Sequence, residues 1–210
     1  MAYTCAELEE LAATTADHLM YAVTEAGLAD AIRDTYVQCC REALAHVGVV
    51  PRSLDTEDFR RLRFEMLSFA TFLVFGLLRK RVTKHSGLLR READDAGIHY
   101  FQGELLRQVE ALASDLGFQQ IAETVLLRPD PTRQQPPEFG PGGSVTVADR
   151  VFQYLEACRR EQGSELELFG KHIGLTLDPP HWPVLDIIGG TYGPMLLDVA
   201  QISIKASFGR

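Results

Sequence analysis

Residues 66–78 read MLSFATFLVFGLL, the longest nearly uninterrupted apolar run in the chain. A membrane-spanning helix takes about 20 apolar residues, and this run has only 13. A helix with this sequence is apolar on every side, so it cannot lie on a protein surface. The run therefore predicts a central helix that is surrounded by other helices or covered in an oligomer interface. Five phenylalanines crowd into it: Phe59, Phe64, Phe69, Phe72 and Phe75.

Segments on either side of this run carry apolar residues every three or four positions, which is typical of amphipathic helices. Asp55, with Asp58 three residues later, is a typical helix start, and it predicts a central helix running through Leu77. Further helices are predicted over 5–26, 32–47, 98–116, 147–158 and 166–173. The sequence thus predicts an all-α, single-domain bundle of about five to seven helices around a Phe-rich central helix.

The end of the chain is ambiguous. Glycine and proline between Gly189 and Pro194 predict a bend, and Pro194 suits the first turn of a following helix. The apolar tail 195–206 alternates in part with polar residues, which also fits a strand, although we favour a helix.

Residues 128–144 hold half of the prolines together with three glycines. Because this stretch has no apolar periodicity, we expect a long loop or linker between a helical core at 1–127 and C-terminal helices at 145–210 that complete the same domain. Just before it, residues 112–127 have the spacing of a helix-turn-helix. Glu123 falls at a position that should pack inward, and the surroundings are acidic, so this spacing does not indicate nucleic-acid binding.

Composition excludes several classes of protein. With 210 residues, 46% hydrophobic content and only four cysteines, the chain is not collagen-like, disordered or disulfide-rich. The cysteines form no C-x-x-C pair, and the acidic amino terminus does not resemble a signal peptide, so we expect a cytoplasmic protein with reduced thiols. Arginine outnumbers lysine by 17 to 4 and asparagine is absent, which favours a bacterial source.

Charge is uneven along the chain. The net charge is -8, but residues 52–91 carry a surplus of six positive charges. Such a cluster could bind an anion, either nucleic acid or lipid phosphate. We favour a structural interpretation, in which several of these cations complement the negative end of the central helix. The candidate anion-binding residues are Arg79, Lys80, Arg81, Lys84, Arg90 and Arg91.

Catalytic motifs do not stand out. The chain has no H-E-x-x-H, no Glu-x-x-His and no Gly-x-Ser-x-Gly, so no metal or cofactor is predicted. If the chain were an enzyme, Asp178 or Asp186 could orient His181 as a general base. Nearby Trp182 and Tyr192 suit a protein interface equally well. We rank simple packing of these residues first, an interface second and catalysis third.

Three functions follow as hypotheses. The first is a non-catalytic helical protein that self-associates or binds a protein partner, because catalytic motifs are missing and the central helix is apolar all round. The second is a ligand-binding protein or enzyme with an apolar interior pocket lined by Met66, Phe69 and Phe72. The third and weakest is anion binding by the basic cluster.

Overall fold

A computed structural model describes residues 3–25, 27–44, 55–82, 95–127, 138–160, 164–177 and 182–208. Within these residues the all-α prediction is confirmed, with seven helices and one small two-stranded sheet. In chain order the elements are α1 (Cys5–Thr24), α2 (Leu28–Leu44), α3 (Thr56–Val82), α4 (Asp95–Asp115), β1 (Gln120–Leu127), β2 (Glu138–Thr146), α5 (Val147–Arg159), α6 (Glu165–Leu177) and α7 (Trp182–Phe208).

Helix α3 is the centre of the bundle. Its start follows the prediction, since the Asp55 carboxylate accepts hydrogen bonds from the backbone N–H of Glu57 and of Asp58 at 2.9 and 3.0 Å. From Phe64 to Phe75 no side chain is more than 4% exposed. Because α1, α5, α6 and α7 of the same chain pack around it, the apolar run needs no oligomer to cover it.

The two polar hydroxyls inside this run are satisfied within the helix. Ser68 and Thr71 each donate to the backbone carbonyl four residues earlier, at 2.8 Å in both cases. A buried hydroxyl without such a bond would cost stability, so these contacts let both residues lie among the phenylalanines.

The hairpin corrects the prediction for residues 120–144. Residues 120–127 form a strand rather than the end of a helical core, and 138–144 belong to β2 rather than to a loop. The strands pair antiparallel from Gln120 opposite Thr146 to Leu127 opposite Glu138. Ala122 pairs with Ser144 and Thr124 pairs with Pro141, so β2 has one extra residue at this point, a β-bulge. Each strand of a two-stranded sheet is an edge, so β2 tolerates its proline and glycines. Residues 128–137 lie outside the described residues.

Helix α5 starts as its sequence predicts. Thr146 accepts from the backbone N–H of Asp149, whose carboxylate accepts in return from the Thr146 N–H at 3.0 Å. The same threonine is the last residue of β2, so α5 follows the sheet without an intervening loop.

The structure of α7 shows that the bend predicted at 189–194 is wrong and that the tail 195–206 is a helix rather than a strand. A single helix runs from Trp182 to Phe208, with Pro194 inside it rather than in a first turn, and 195–206 are helical. A Cβ on Gly189 would meet the Leu166 carbonyl oxygen at 2.5 Å, and one on Gly193 would meet the Leu166 side chain at 2.3 Å. The glycines therefore allow close packing of α6 on α7 rather than a turn. No helix in the described ranges is both long enough and apolar enough to cross a membrane.

Candidate functional site

Three features of the described residues carry unusual chemistry: a buried ionic cluster, a surface cleft and an exposed apolar face. The buried ionic cluster consists of Glu65 on α3, Arg150 and Tyr154 on α5, and His172 on α6. Glu65 and Arg150 are 0% and 3% exposed, and their Oε1 and Nη2 atoms lie 3.0 Å apart. The Tyr154 hydroxyl donates a long hydrogen bond of 3.5 Å to the other Glu65 oxygen. Arg150 also donates to the side-chain oxygen of Gln153.

The surroundings of this cluster hold its groups in fixed protonation states. Burial raises the pKa of Tyr154 well above its usual value, and the nearby Glu65 charge acts in the same direction. Burial also lowers the pKa of His172 to about 3, with smaller contributions from the positive charges of Arg150 and Lys171. At neutral pH the tyrosine hydroxyl therefore keeps its proton and the imidazole is neutral.

Aromatic rings enclose the cluster. The Tyr154 ring lies 4.9 Å from the His172 ring and 5.4 Å from the Phe72 ring, measured between centroids. Phe69 stacks on Phe169 at 4.5 Å. Phe69 and Phe72, two of the three residues proposed to line an interior pocket, are thus packed against other rings, and Met66 is fully buried. This arrangement suits a structural ion pair better than a reacting centre, because a buried pair surrounded by rings is shielded from substrate and water.

The surface cleft lies between α3, α4 and α5 and has a volume of about 240 Å³. Among the described residues, its lining combines apolar side chains with two arginines and includes no carboxylate. The residues that line it are Phe75, Arg79, His99, Gln102, Gly103, Leu106, Phe152, Leu155 and Arg159. Arg79 is the member of the predicted basic cluster that the structure places here.

The exposed apolar face belongs to α7. Ile187, Met195 and Ile202 are 47%, 46% and 63% exposed, and they are spaced by eight and seven residues. Steps of seven or eight residues return to the same side of a helix, so the three side chains form one stripe. The opposite side of α7 is buried through Ile188, Leu196, Ala200, Ile204 and Phe208.

Most of the predicted site residues are not brought together in the described part of the chain. Tyr192 is buried, and its hydroxyl donates to the Ala31 carbonyl at 2.8 Å and lies 2.5 Å from the Thr35 hydroxyl, so it faces α2 rather than a partner. Trp182 and Asp186 begin α7, and Lys80 and Arg81 end α3, but their side chains are not described. Outside the described residues lie Asp178, His181, Lys84, Arg90 and Arg91.

The sequence contains a recognisable signal for the ionic cluster but not for the α7 stripe. Glu65 is a lone acid beside the apolar run, and Arg150 falls on the apolar side of α5 between Val147 and Val151. A charge of opposite sign on the buried side of each of two helices is a recognisable sign of a buried pair. The α7 stripe was hidden because its opposite side is also apolar.

Comparisons with known proteins assign no relative to this chain, since no family model, curated protein or solved structure matches it. Within the described residues no group of three or more His, Cys, Asp and Glu side chains could hold a metal ion.

Proposed function

We propose that the chain is a non-catalytic helical protein that self-associates into a two-fold dimer through the exposed stripe of α7. The observation that carries the proposal is the alignment of Ile187, Met195 and Ile202 along one side of a single helix. Large apolar side chains that are exposed along one side of a helix favour an interaction site. The core of the chain is already filled by α3, so the stripe is better covered by a second molecule.

The order of residues along the stripe favours a second copy of the same chain as the partner. Between the apolar residues lie exposed Thr191 and Asp198, so the stripe alternates apolar, polar, apolar, polar, apolar. This order is symmetric about positions 194–195. In an antiparallel pair of α7 helices, Ile187 would therefore face Ile202 of the partner subunit, and Thr191 would face Asp198 of the partner subunit.

The close approach of two helices is also favoured by the residues beside the stripe. Gly190 and Pro194 are exposed there, and a Cβ on Gly190 would meet nothing within 4 Å. Small residues let two helix backbones come near each other. The stripe spans about 22 Å at 1.5 Å per residue. A single pair of helices of this length forms a small interface, so we expect a weak, concentration-dependent dimer.

The bacterial and cytoplasmic assignments belong to the same proposal. They rest on the arginine bias and on the four cysteines, which form no C-x-x-C pair and of which Cys5 is a free, exposed thiol. Free thiols are usual in a reducing compartment.

Sedimentation velocity of the full chain over a range of concentrations tests the dimer. We expect a monomer–dimer equilibrium that Ile202→Glu and Met195→Glu each weaken at least about tenfold, because a charge then enters the interface. Leu116→Glu is the matched control, since Leu116 is 55% exposed but lies away from α7. A chain that stays monomeric at high concentration, or a control that dissociates the dimer equally, contradicts the proposal.

The antiparallel arrangement has its own test. Thr191→Lys would place a cation opposite Asp198 of the partner subunit and should strengthen the dimer, whereas Thr191→Asp should weaken it. In a parallel pair, position 191 would face itself and both charges would weaken association. Opposite effects of the two substitutions therefore support the antiparallel pair, and equal weakening contradicts it.

A further inference from the structure

We infer that the cleft between α3, α4 and α5 binds a small amphipathic anion, an aromatic or short-chain carboxylate or phosphate. The cleft shares no residue with α7, so this inference is independent of the proposed dimer. It rests on the combination of an apolar lining, two guanidinium groups and a limited volume.

The apolar part of the lining comes from all three helices. Phe75 on α3, Leu106 on α4 and Leu155 on α5 surround the cleft, and Phe152 stands beside them with 57% of its surface exposed. Binding sites for small molecules are typically concave and mostly apolar, with a few polar groups that orient the ligand. Here the apolar residues would bury the hydrocarbon body of a ligand, and aromatic rings would favour a flat one.

The polar part of the lining is cationic. Arg79 lies in the last turn of α3 and Arg159 ends α5, so two different helices bring positive charge to the same cleft. His99 on α4 also lines the cleft, and the described lining residues include no carboxylate. Guanidinium groups bind carboxylate and phosphate oxygens through paired hydrogen bonds, so the lining is complementary to an anionic head group.

The volume limits the size of the ligand. A cleft of about 240 Å³ corresponds to roughly eight water molecules at about 30 Å³ each. A ligand of about ten non-hydrogen atoms fills this space. Phenylacetate and phenyl phosphate are suitable probes, because they have this size, share an apolar ring and differ in the anionic group.

Titration of the full chain with these probes, followed by nuclear magnetic resonance, tests the inference. We expect both anions to shift the amide signals of Gln102, Gly103 and Leu155, and the neutral analogue 2-phenylethanol to bind about tenfold more weakly. Stronger binding of one anion than of the other identifies the head group. An unchanged spectrum at millimolar anion, or equal binding of the neutral analogue, overturns the inference.

Three variants separate specific binding from a general effect of charge. Arg159→Gln and Arg79→Gln should each weaken anion binding about tenfold. Arg160→Gln is the matched control, because Arg160 is the next residue, is exposed and pairs with Glu156 instead of lining the cleft. If Arg160→Gln weakens binding as much as Arg159→Gln, the anions respond only to surface charge and the inference is wrong.

A fourth variant blocks the cleft without removing a charge. Gly103 lines the cleft from α4, and a Cβ at this position would meet nothing within 4 Å. Gly103→Leu should therefore keep the fold, fill the cleft and abolish binding of both anions. Gly103→Ala should keep most of the anion binding. Full binding by a folded Gly103→Leu protein would place the ligand elsewhere and overturn the inference.

Discussion

Helices α3 and α7 both have 27 residues, yet the chain uses them in opposite ways. Helix α3 carries nine charged residues and α7 only three, so composition alone would place α7 inside and α3 outside. The structure does the reverse. Helix α3 has no charged residue between Met66 and Leu78 and is surrounded by other helices, whereas α7 packs by one side. The order of residues, rather than the overall hydrophobicity, decides which helix is central.

The largest effect should come from removing one member of the buried ion pair in α3 and α5. Arg150→Met leaves the Glu65 carboxylate buried without its opposite charge, which should lower the free energy of unfolding by about 3–5 kcal/mol. Arg160→Met removes an exposed pair with Glu156 and should cost less than about 1 kcal/mol. Urea denaturation measures both. A double variant, Glu65→Leu with Arg150→Met, should recover much of the loss, and its failure to do so would contradict this account.

A pair of truncations compares the two helices directly. Phe69→Ala in α3 opens a cavity in the aromatic core and should cost about 3–5 kcal/mol. Ile202→Ala in α7 removes an exposed side chain and should change the stability of the monomer by less than about 0.5 kcal/mol. Thermal or urea unfolding at low protein concentration measures the stability loss of each variant. Equal losses would mean that the α7 stripe is covered within the chain.

Two neighbouring glycines of α7 should respond in opposite directions. A Cβ at position 189 would lie 2.5 Å from the Leu166 carbonyl oxygen, so Gly189→Ala should force α6 and α7 apart and cost about 1–3 kcal/mol. Gly190 has open space around it, and Gly190→Ala should stabilise the helix by about 0.5–1 kcal/mol. The melting temperatures of the two variants check this prediction. An unchanged melting temperature for Gly189→Ala would show that α7 does not pack on α6 through residue 189.

The smallest effect concerns pH. The pKa of His172 is about 3 in the folded chain and near 6.5 when unfolded, so the unfolded chain binds an extra proton between these values. Stability should therefore fall as pH falls below about 6.5, by about 1 kcal/mol between pH 7 and about pH 5.5. His172→Gln should remove this part of the pH dependence. If the free energy of unfolding depends on pH equally in the variant and in the original chain, the assignment to His172 is wrong.

Local signals were sufficient to predict much of the fold. The run at 66–78 identified the central helix, and Asp55 marked its start, which the structure confirms. These features depend on residues within a few positions of one another. The hairpin was missed because β1 and β2 are stabilised by pairing across residues 128–137, and neither strand carries a strong local preference of its own.

The candidate sites were harder to predict for the same reason. Glu65 and Arg150 are distant in the chain and meet only after α3 and α5 pack together. The cleft likewise takes Arg79, Leu106 and Arg159 from three helices. The bend predicted at Pro194 was wrong, because a proline usually marks a helix start or end, whereas here it lies inside α7.

The position of Arg150 late in the sequence has a consequence for synthesis. Glu65 is made first, and α4 and the hairpin must follow before Arg150 is available to neutralise it. Until then, α3 cannot bury its carboxylate without the cost of an isolated charge in an apolar interior. A nascent chain that ends before α5 also lacks α6 and α7, which pack on α3, so we expect the core to become stable only after most of the chain has been made.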